Sequence, residues 1–121
     1  MEPIFNNKGK TVAWLKSGEE NNIIYNRSAK AIAFTSDNSV FDYKGKYICR
    51  FFNGYFRERS GNAFSFVKGA SGGPLLPITE ISPIPPIPSI PPIKPIESIP
   101  PIPPVDSLSW SGASWQEIME K

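Results

Sequence analysis

The sequence predicts an all-β fold in which repeated β-hairpins surround a pseudo-four-fold axis, followed by a polyproline II-like Pro/Ile tail and a short C-terminal helix. Two internal repeats carry this prediction. Residues 4–67 contain one hairpin-like unit written four times, and residues 78–105 place Ile or Val at every third position. A unit that recurs at a short, nearly regular spacing is one supersecondary element used again, so neighbouring units must stack to bury their apolar faces.

Each unit reads as a short apolar strand, a polar turn and a second strand with alternating apolar residues. The turns are centred on Gly9, Ala29, Gly45 and Gly61. Glycine supplies the positive φ of a tight hairpin turn, so the alanine predicts a second turn that is more strained or differently built. Short polar side chains that can bond the turn backbone stand at three turn entries, namely Asn6, Asn26 and Asp42.

The second strand of every unit has a small residue at one equivalent position. These residues are Ala13, Ala33, Cys49 and Ser65. Since successive side chains on a strand point to opposite faces, the four small residues share one face. They predict a crowded axis where four hairpins meet; the alternative is that they are ordinary half-exposed positions.

The prolines of the tail exclude an α-helix and a central β-strand, because proline has no backbone N–H donor and its ring clashes with the preceding helical turn. Polyproline II repeats every three residues, so a period of three places all the branched side chains on one edge. We call this edge the apolar ridge, and it consists of Ile78, Ile81, Ile84, Ile87, Ile90, Ile93, Ile96, Ile99, Ile102 and Val105. We expect an ordered tail that packs this ridge on apolar surface of its own head or of another subunit. A bend or a subunit crossing is expected near residues 94–98.

The chain divides into four segments. Residues 1–70 form the predicted four-hairpin β domain, residues 71–77 a Gly/Pro link, residues 78–105 the extended tail, and residues 106–121 a Trp-containing segment with a short helix. Ser114 and Glu117 fit a capping box that opens this helix. Trp110 and Trp115 are expected to anchor the segment in the head, because a tryptophan hides a large apolar area.

At this point the chain resembles the bacterial 4-fold beta flower proteins. The resemblance rests on the hairpin units, FNGYFR at residues 52–57, GASGGPL at residues 69–75, the period-three tail and the closing pair of tryptophans. It covers nearly the whole chain, and it departs from the family at Ala29 and in a tail richer in Ile and poorer in basic residues. The resemblance implies the fold and implies no activity.

Composition narrows the function classes. The chain has no His and a single Cys, so we expect no catalytic residue, no cofactor, no metal site and no internal disulfide. The N-terminus lacks the pattern of a signal peptide, and no apolar run is long enough for a membrane helix, so we expect a cytoplasmic protein without membrane contact. Residues 1–70 carry 11 Lys and Arg against 6 Asp and Glu, net +5, whereas residues 71–121 carry 2 against 5, net −3. This asymmetry suggests that the tail lies on the head; the alternative is that so small a shift is incidental.

Three function hypotheses remain. The favoured one is a non-catalytic structural or protein-interaction module whose tail packs on its own head or on neighbouring subunits, with another copy of itself or an unidentified protein as partner. The alternative is anion or nucleic-acid binding through a basic rim at the turns, which we rank lower because the net charge is modest. An enzyme ranks last. The basic rim consists of Lys8, Lys10, Arg27, Lys30, Lys44, Lys46 and Arg59.

Overall fold

The computed structural model describes residues 1–120 and shows eight antiparallel strands that close into a barrel. Each strand pairs with its neighbours in chain order, and β1 closes the ring on β8. The strands are β1 (Glu2–Asn6), β2 (Thr11–Lys16), β3 (Ile23–Tyr25), β4 (Ala31–Ser36), β5 (Ser39–Asp42), β6 (Tyr47–Phe52), β7 (Tyr55–Arg57) and β8 (Ala63–Val67). The helix in the described residues, α1 (Trp115–Met119), lies after the barrel, which confirms the all-β prediction for the head.

The four predicted turns lie at one end of the barrel, which we call the turn end. They join β1 to β2, β3 to β4, β5 to β6 and β7 to β8, so the strand directions place them together. In the first turn the side chain of Asn6 accepts bonds from the N–H groups of Lys8 and Lys10 at 2.9 and 3.0 Å. Asn26 and Asp42 form the same pair of bonds in the next two turns. Short polar residues at the turn entries therefore fix the hairpins, as predicted.

The second turn is built like the others and holds its alanine in a strained conformation. Ala29 has φ 66°, close to the 76° of Gly9 and the 84° of Gly45. Its N–H donates to the carbonyl of Asn26 at 3.1 Å, as Gly9 donates to Asn6 at 3.0 Å. Of the two alternatives that the sequence left open, strain is therefore the one that applies, since a Cβ disfavours this region.

Each hairpin carries a β-bulge close to its turn, where the register shifts by one residue. The extra residues on the second strands are Val12, Ile32, Ile48 and Phe64, and all four lie in or against the main core. Because a bulge bends its strand and re-aims a side chain, the extra residue and the small residue after it both serve the core.

The small residues at the equivalent strand positions line the barrel interior. Ala13, Ala33, Cys49 and Ser65 all have 0% exposure, which confirms the predicted buried positions. The same core contains the equivalent first-strand residues Ile4, Ile24, Val40 and Phe56. Small side chains on one strand of each hairpin leave room for larger ones on the other, and together the two sets fill the core.

Helix α1 lies against the core at the turn end of the barrel. Ser114 accepts the N–H of Glu117 at 3.2 Å and donates its own N–H to the Glu117 carboxylate at 3.0 Å, so the predicted capping box is confirmed. Trp115 is buried, with its ring centroid 5.5 Å from Phe56 and 5.9 Å from Phe64. Since Phe64 is a bulge residue beside a turn, the helix plugs that end of the barrel.

Trp110 anchors the segment that leads to the helix. Its backbone forms a parallel bridge with Ala63, and its ring lies about 6 Å from those of Tyr55 and Phe66. Both tryptophans therefore anchor the C-terminal segment to the head, as predicted.

Candidate interaction surface

The Pro-rich tail and the residues directly after it contact all four turns through the same backbone bond. A tail N–H donates to the carbonyl of the positive-φ turn residue at each contact. The pairs are Glu80 to Gly9 at 2.9 Å, Ser89 to Ala29 at 3.1 Å, Ser98 to Gly45 at 2.8 Å and Ser107 to Gly61 at 3.2 Å. The donors are spaced nine residues apart, which is three turns of a three-residue helix. The tail thus encircles the turn end of its own head.

The turn glycines are required by this close approach as well as by their φ angles. A Cβ built on Gly9 would overlap the carbonyl oxygen of Ile78, and Gly45 and Gly61 have the same relation to Ile96 and Val105. At the second turn the methyl of Ala29 occupies that space. There the hydroxyl of Tyr25 adds a bond to the Ser89 carbonyl at 3.2 Å.

Side chains of the tail reinforce two of the contacts. The carboxylate of Glu80 accepts the N–H of Thr11 at 2.7 Å and lies 3.7 Å from the Lys10 ammonium. The Thr11 bond, followed by Lys10 and Arg27, keeps the pKa of Glu80 below its usual value. At the third turn the hydroxyl of Ser98 accepts the N–H of Tyr47 at 3.0 Å. Acidic and hydroxyl groups of the tail thus meet the basic end of the head, which fits the charge asymmetry of the sequence.

A buried arginine ties both ends of the tail to the fourth hairpin. Arg57 is 2% exposed, and its guanidinium donates to the carbonyls of Gly61 at 2.6 Å, Ser107 at 2.7 Å and Gly72 at 3.2 Å. Asp106 forms an ion pair with Arg50 and lies 3.6 Å from Arg57 Nε. Sequence reasoning missed this cluster; the available signal was a charged residue inside the strand-like segment at residues 52–57.

The apolar ridge faces away from the head. Its ten side chains are 90–99% exposed, so the prediction that the ridge packs on apolar surface of its own head is wrong. A three-residue helix has three edges, and the head contacts the two that carry proline rings, serines and carboxylates. The reason is chemical, because the turns offer carbonyl and N–H groups, which the branched side chains cannot bind. The ridge consists of the residues predicted from the sequence, but their side chains point to solvent and not to the head.

The expected bend near residues 94–98 is one of several changes of direction. The tail must turn at or between all four contacts to follow the ring, and Ser98 makes one of them. Lys94 and Glu97 form an ion pair at 2.7 Å just before it, and this bond is the main cause of the lowered pKa of Glu97.

All seven residues of the basic rim are exposed and lie at the turn end. Three of them also contact other groups of the chain. Lys10 lies near Glu80, Arg27 donates to the carbonyl of Thr11 at 2.8 Å, and the Arg59 guanidinium lies 5.3 Å from the centre of the Tyr47 ring. The rim is therefore a partly compensated basic surface beside the apolar ridge.

Two clefts lie beside the C-terminal helix and the tail. One of about 870 Å³ lies beside α1 and is lined by Lys46, Tyr47, Arg59 and Glu117 among others. The other, of about 300 Å³, separates the loop at residues 36–39 from the tail.

Burial raises the pKa of Cys49 and so keeps its thiol protonated, which disfavours nucleophilic use of that residue.

Residues 1–120 include no group of three or more His, Cys, Asp or Glu residues that could hold a metal ion. Within the same residues, no helix has the length and apolar character needed to cross a membrane.

Comparison with known proteins identifies one similarity. A family model described as 4-fold beta flower protein matches residues 2–119, a range that includes the barrel, the tail and the helix. No curated protein and no solved structure matches the chain.

Proposed function

Because the chain belongs to the 4-fold beta flower family over both head and tail, we propose that head and tail act together as a non-catalytic protein-interaction module. The barrel is the scaffold, and the tail displays the apolar ridge. One observation supports this most directly: the ten ridge side chains are 90–99% exposed on a segment bonded to the head at four points.

The exposed apolar area is large enough for a specific interface. Burial of an Ile or Val side chain is worth about 1.5–3 kcal/mol at ~25 cal/mol per Å², which corresponds to roughly 60–120 Å² each. Ten such side chains offer about 600–1,200 Å², against about 800 Å² per partner in a typical stable complex. Because the tail encircles the barrel end, one partner covers part of the ridge, and exposed apolar surface of this total size marks an interaction region.

We propose that the partner is a second copy of the chain. Ridge residues recur every three positions without interruption, so at ~3.1 Å per residue their spacing is about 9 Å. Two ridges with identical spacing can interdigitate, with each branched side chain filling a gap in the other. The tail is already held in place, so association loses little conformational entropy.

The test compares two triple variants that differ only by hydroxyl groups. Ile84, Ile93 and Ile102 are each more than 90% exposed, and all three are replaced by Val in one variant and by Thr in the other. Because Val and Thr have nearly the same shape, we expect the Val variant to self-associate as the unmodified chain does and the Thr variant to dissociate. Sedimentation velocity across a concentration series measures this. A chain that remains monomeric at its highest soluble concentration would contradict the proposal.

Polyanion binding by the basic rim is the second candidate, favoured by seven exposed basic residues at one end of the barrel. Glu80 compensates part of that charge, so the support is weaker. A binding constant for a generic polyanion that falls steeply with salt concentration would favour this candidate.

We also infer a cytoplasmic location, supported by the free, buried Cys49.

A further inference from the structure

We infer that the ring of four turns is a binding site for extended Pro/Ile segments with a nine-residue repeat, and that the chain's own tail is its tethered occupant. The ligand class is a proline-rich peptide with a backbone N–H available at every ninth residue. Such a segment can be supplied in trans, for example by the tail of a second copy. This inference is independent of self-association through the ridge.

The tail contains the repeat that such a site requires. Four consecutive units begin with Pro followed by Ile or Val, at residues 77, 86, 95 and 104. The fourth position of each unit is never proline, and its N–H makes the bond to the turn. These donors are Glu80, Ser89, Ser98 and Ser107. Since proline has no N–H, the head distinguishes this position from the prolines around it.

The head presents matching groups at each turn. The carbonyl of the positive-φ residue accepts the tail N–H, and in three turns the N–H two residues later donates to the tail. Thr11 donates to the Glu80 carboxylate at 2.7 Å, Tyr47 to the Ser98 hydroxyl at 3.0 Å, and Ala63 to the Ser109 carbonyl at 3.3 Å. Four copies of one acceptor on a closed barrel form a rigid frame whose spacing selects nine-residue intervals.

The ridge takes no part in this recognition, because its side chains point to solvent. A peptide whose ridge residues are changed should therefore bind as well as the natural tail. A peptide with one extra residue in every interval should not, because its donors no longer meet successive turn carbonyls. These two peptides separate recognition by the turns from unspecific apolar adhesion.

The chain's own tail competes strongly with an added peptide, because a short tether gives the tail a millimolar effective concentration. The tether must therefore be cut after the chain has folded. Gly69 is exposed and has open space around it, so a protease recognition sequence fits between Lys68 and Gly69. Both pieces of the cut chain stay in the sample, so every residue of the folded protein is present.

The experiment refolds the cut chain from urea with a labelled peptide of residues 70–121 and an equal amount of an unlabelled test peptide. The bound label reports their relative affinity. We expect a test peptide with Ile84, Ile93 and Ile102 replaced by Thr to compete as well as the natural sequence. We expect a peptide with one Pro inserted in each of the three intervals, after Pro85, Pro92 and Pro101, to compete at least about tenfold less. Only one donor can then meet its turn at a time, so three bonds worth about 0.5–1.5 kcal/mol each are lost.

Ser98 provides a matched pair. Ser98→Pro removes the N–H that bonds Gly45, whereas Ser98→Ala keeps it and removes only the hydroxyl. We expect the Pro peptide to bind more weakly than the Ala peptide by about 2- to 12-fold. Equal competition by the natural and register-shifted peptides, or a head that retains no tail after refolding, would overturn the inference. A failed test of ridge self-association would leave these results unchanged.

Discussion

At the scale of single residues, the four turns are a natural comparison of alanine with glycine. Gly9, Gly45 and Gly61 place a carbonyl against the tail with no side chain between them, whereas Ala29 holds a methyl in the same place at positive φ. The sequence allowed the position and the strain of this turn to be predicted, because both depend on local backbone chemistry. It did not reveal why three turns need glycine so strictly, because the tail that approaches them is about 50–70 residues away in the chain.

Replacing Ala29 with Gly should stabilise the protein by about 0.5–1 kcal/mol. Relief of a left-handed conformation is worth about 1–2 kcal/mol, and the greater freedom of glycine in the unfolded chain offsets part of it. Urea unfolding measures the change.

The reverse substitution at the third turn is the control. Gly45→Ala should destabilise by at least about 1–2 kcal/mol, since it adds the same backbone strain and overlaps the Ile96 carbonyl. If neither substitution changed the free energy of unfolding, the turns would tolerate a Cβ at both positions.

At the scale of elements, the head could be predicted from sequence more fully than the tail. Hairpins, turn entries, the small interior positions and the capping box follow from spacing within about 20 residues, and all are present. The period of three in the tail was equally clear from the sequence. It did not show which of the three edges of the polyproline II helix contacts the head. The non-proline position at every ninth residue carried that information, since only a residue with an N–H can bond a turn carbonyl.

Glu80 should make the attachment of the tail sensitive to acid. Its pKa in the folded chain is lowered, chiefly by the Thr11 N–H, so its contribution to stability is present above the usual glutamate pKa of 4.5 and is lost as the pH falls through the lowered pKa. Glu80→Gln should flatten the loss of unfolding free energy between about pH 5 and pH 3. Urea unfolding across this range measures the slope.

Glu19→Gln is the matched control, because it removes the same charge from the exposed loop between β2 and β3. Glu80→Gln changes a carboxylate that bonds the head, whereas Glu19→Gln changes one in an exposed loop. If both curves flatten to the same degree, the effect is one of net charge, and Glu80 has no special part in holding the tail.

At the scale of the whole molecule, three parts cover the turn end of the barrel. The tail runs around its rim, α1 packs on the core inside it, and Arg57 joins the link, the fourth turn and the end of the tail. The charge asymmetry of the sequence suggested that the tail lies on the head, and the size of the tryptophans predicted that they anchor the C-terminal segment. The sequence did not predict the burial of Arg57, because two of its carbonyl partners and the neighbouring Asp106 carboxylate come from segments after residue 70.

Limited proteolysis should find the tail protected. A glutamate-specific protease has sites in the exposed loop at Glu19 and Glu20, and in the tail at Glu97, one residue before the bond from Ser98 to Gly45. We expect cleavage in the loop first and slow cleavage at Glu97, because the protease needs a segment free of the head.

The Gly45→Ala variant should speed cleavage at Glu97 and leave cleavage in the loop unchanged. Mass spectrometry of timed samples identifies both cuts. Cleavage of the unmodified chain at Glu97 before the loop would show that the tail is loose in solution.

The match between four hairpins and four tail contacts constrains how the length of the chain can vary. Duplication of one hairpin would add a turn carbonyl that requires a further nine residues of tail, and a change in tail length by any other number would leave donors and acceptors out of step. Insertions can be absorbed at the opposite end of the barrel, where the loop between β2 and β3 is longer than the loops between β4 and β5 or between β6 and β7. Variation between relatives should therefore accumulate in those loops or occur as paired duplications of hairpin and tail unit.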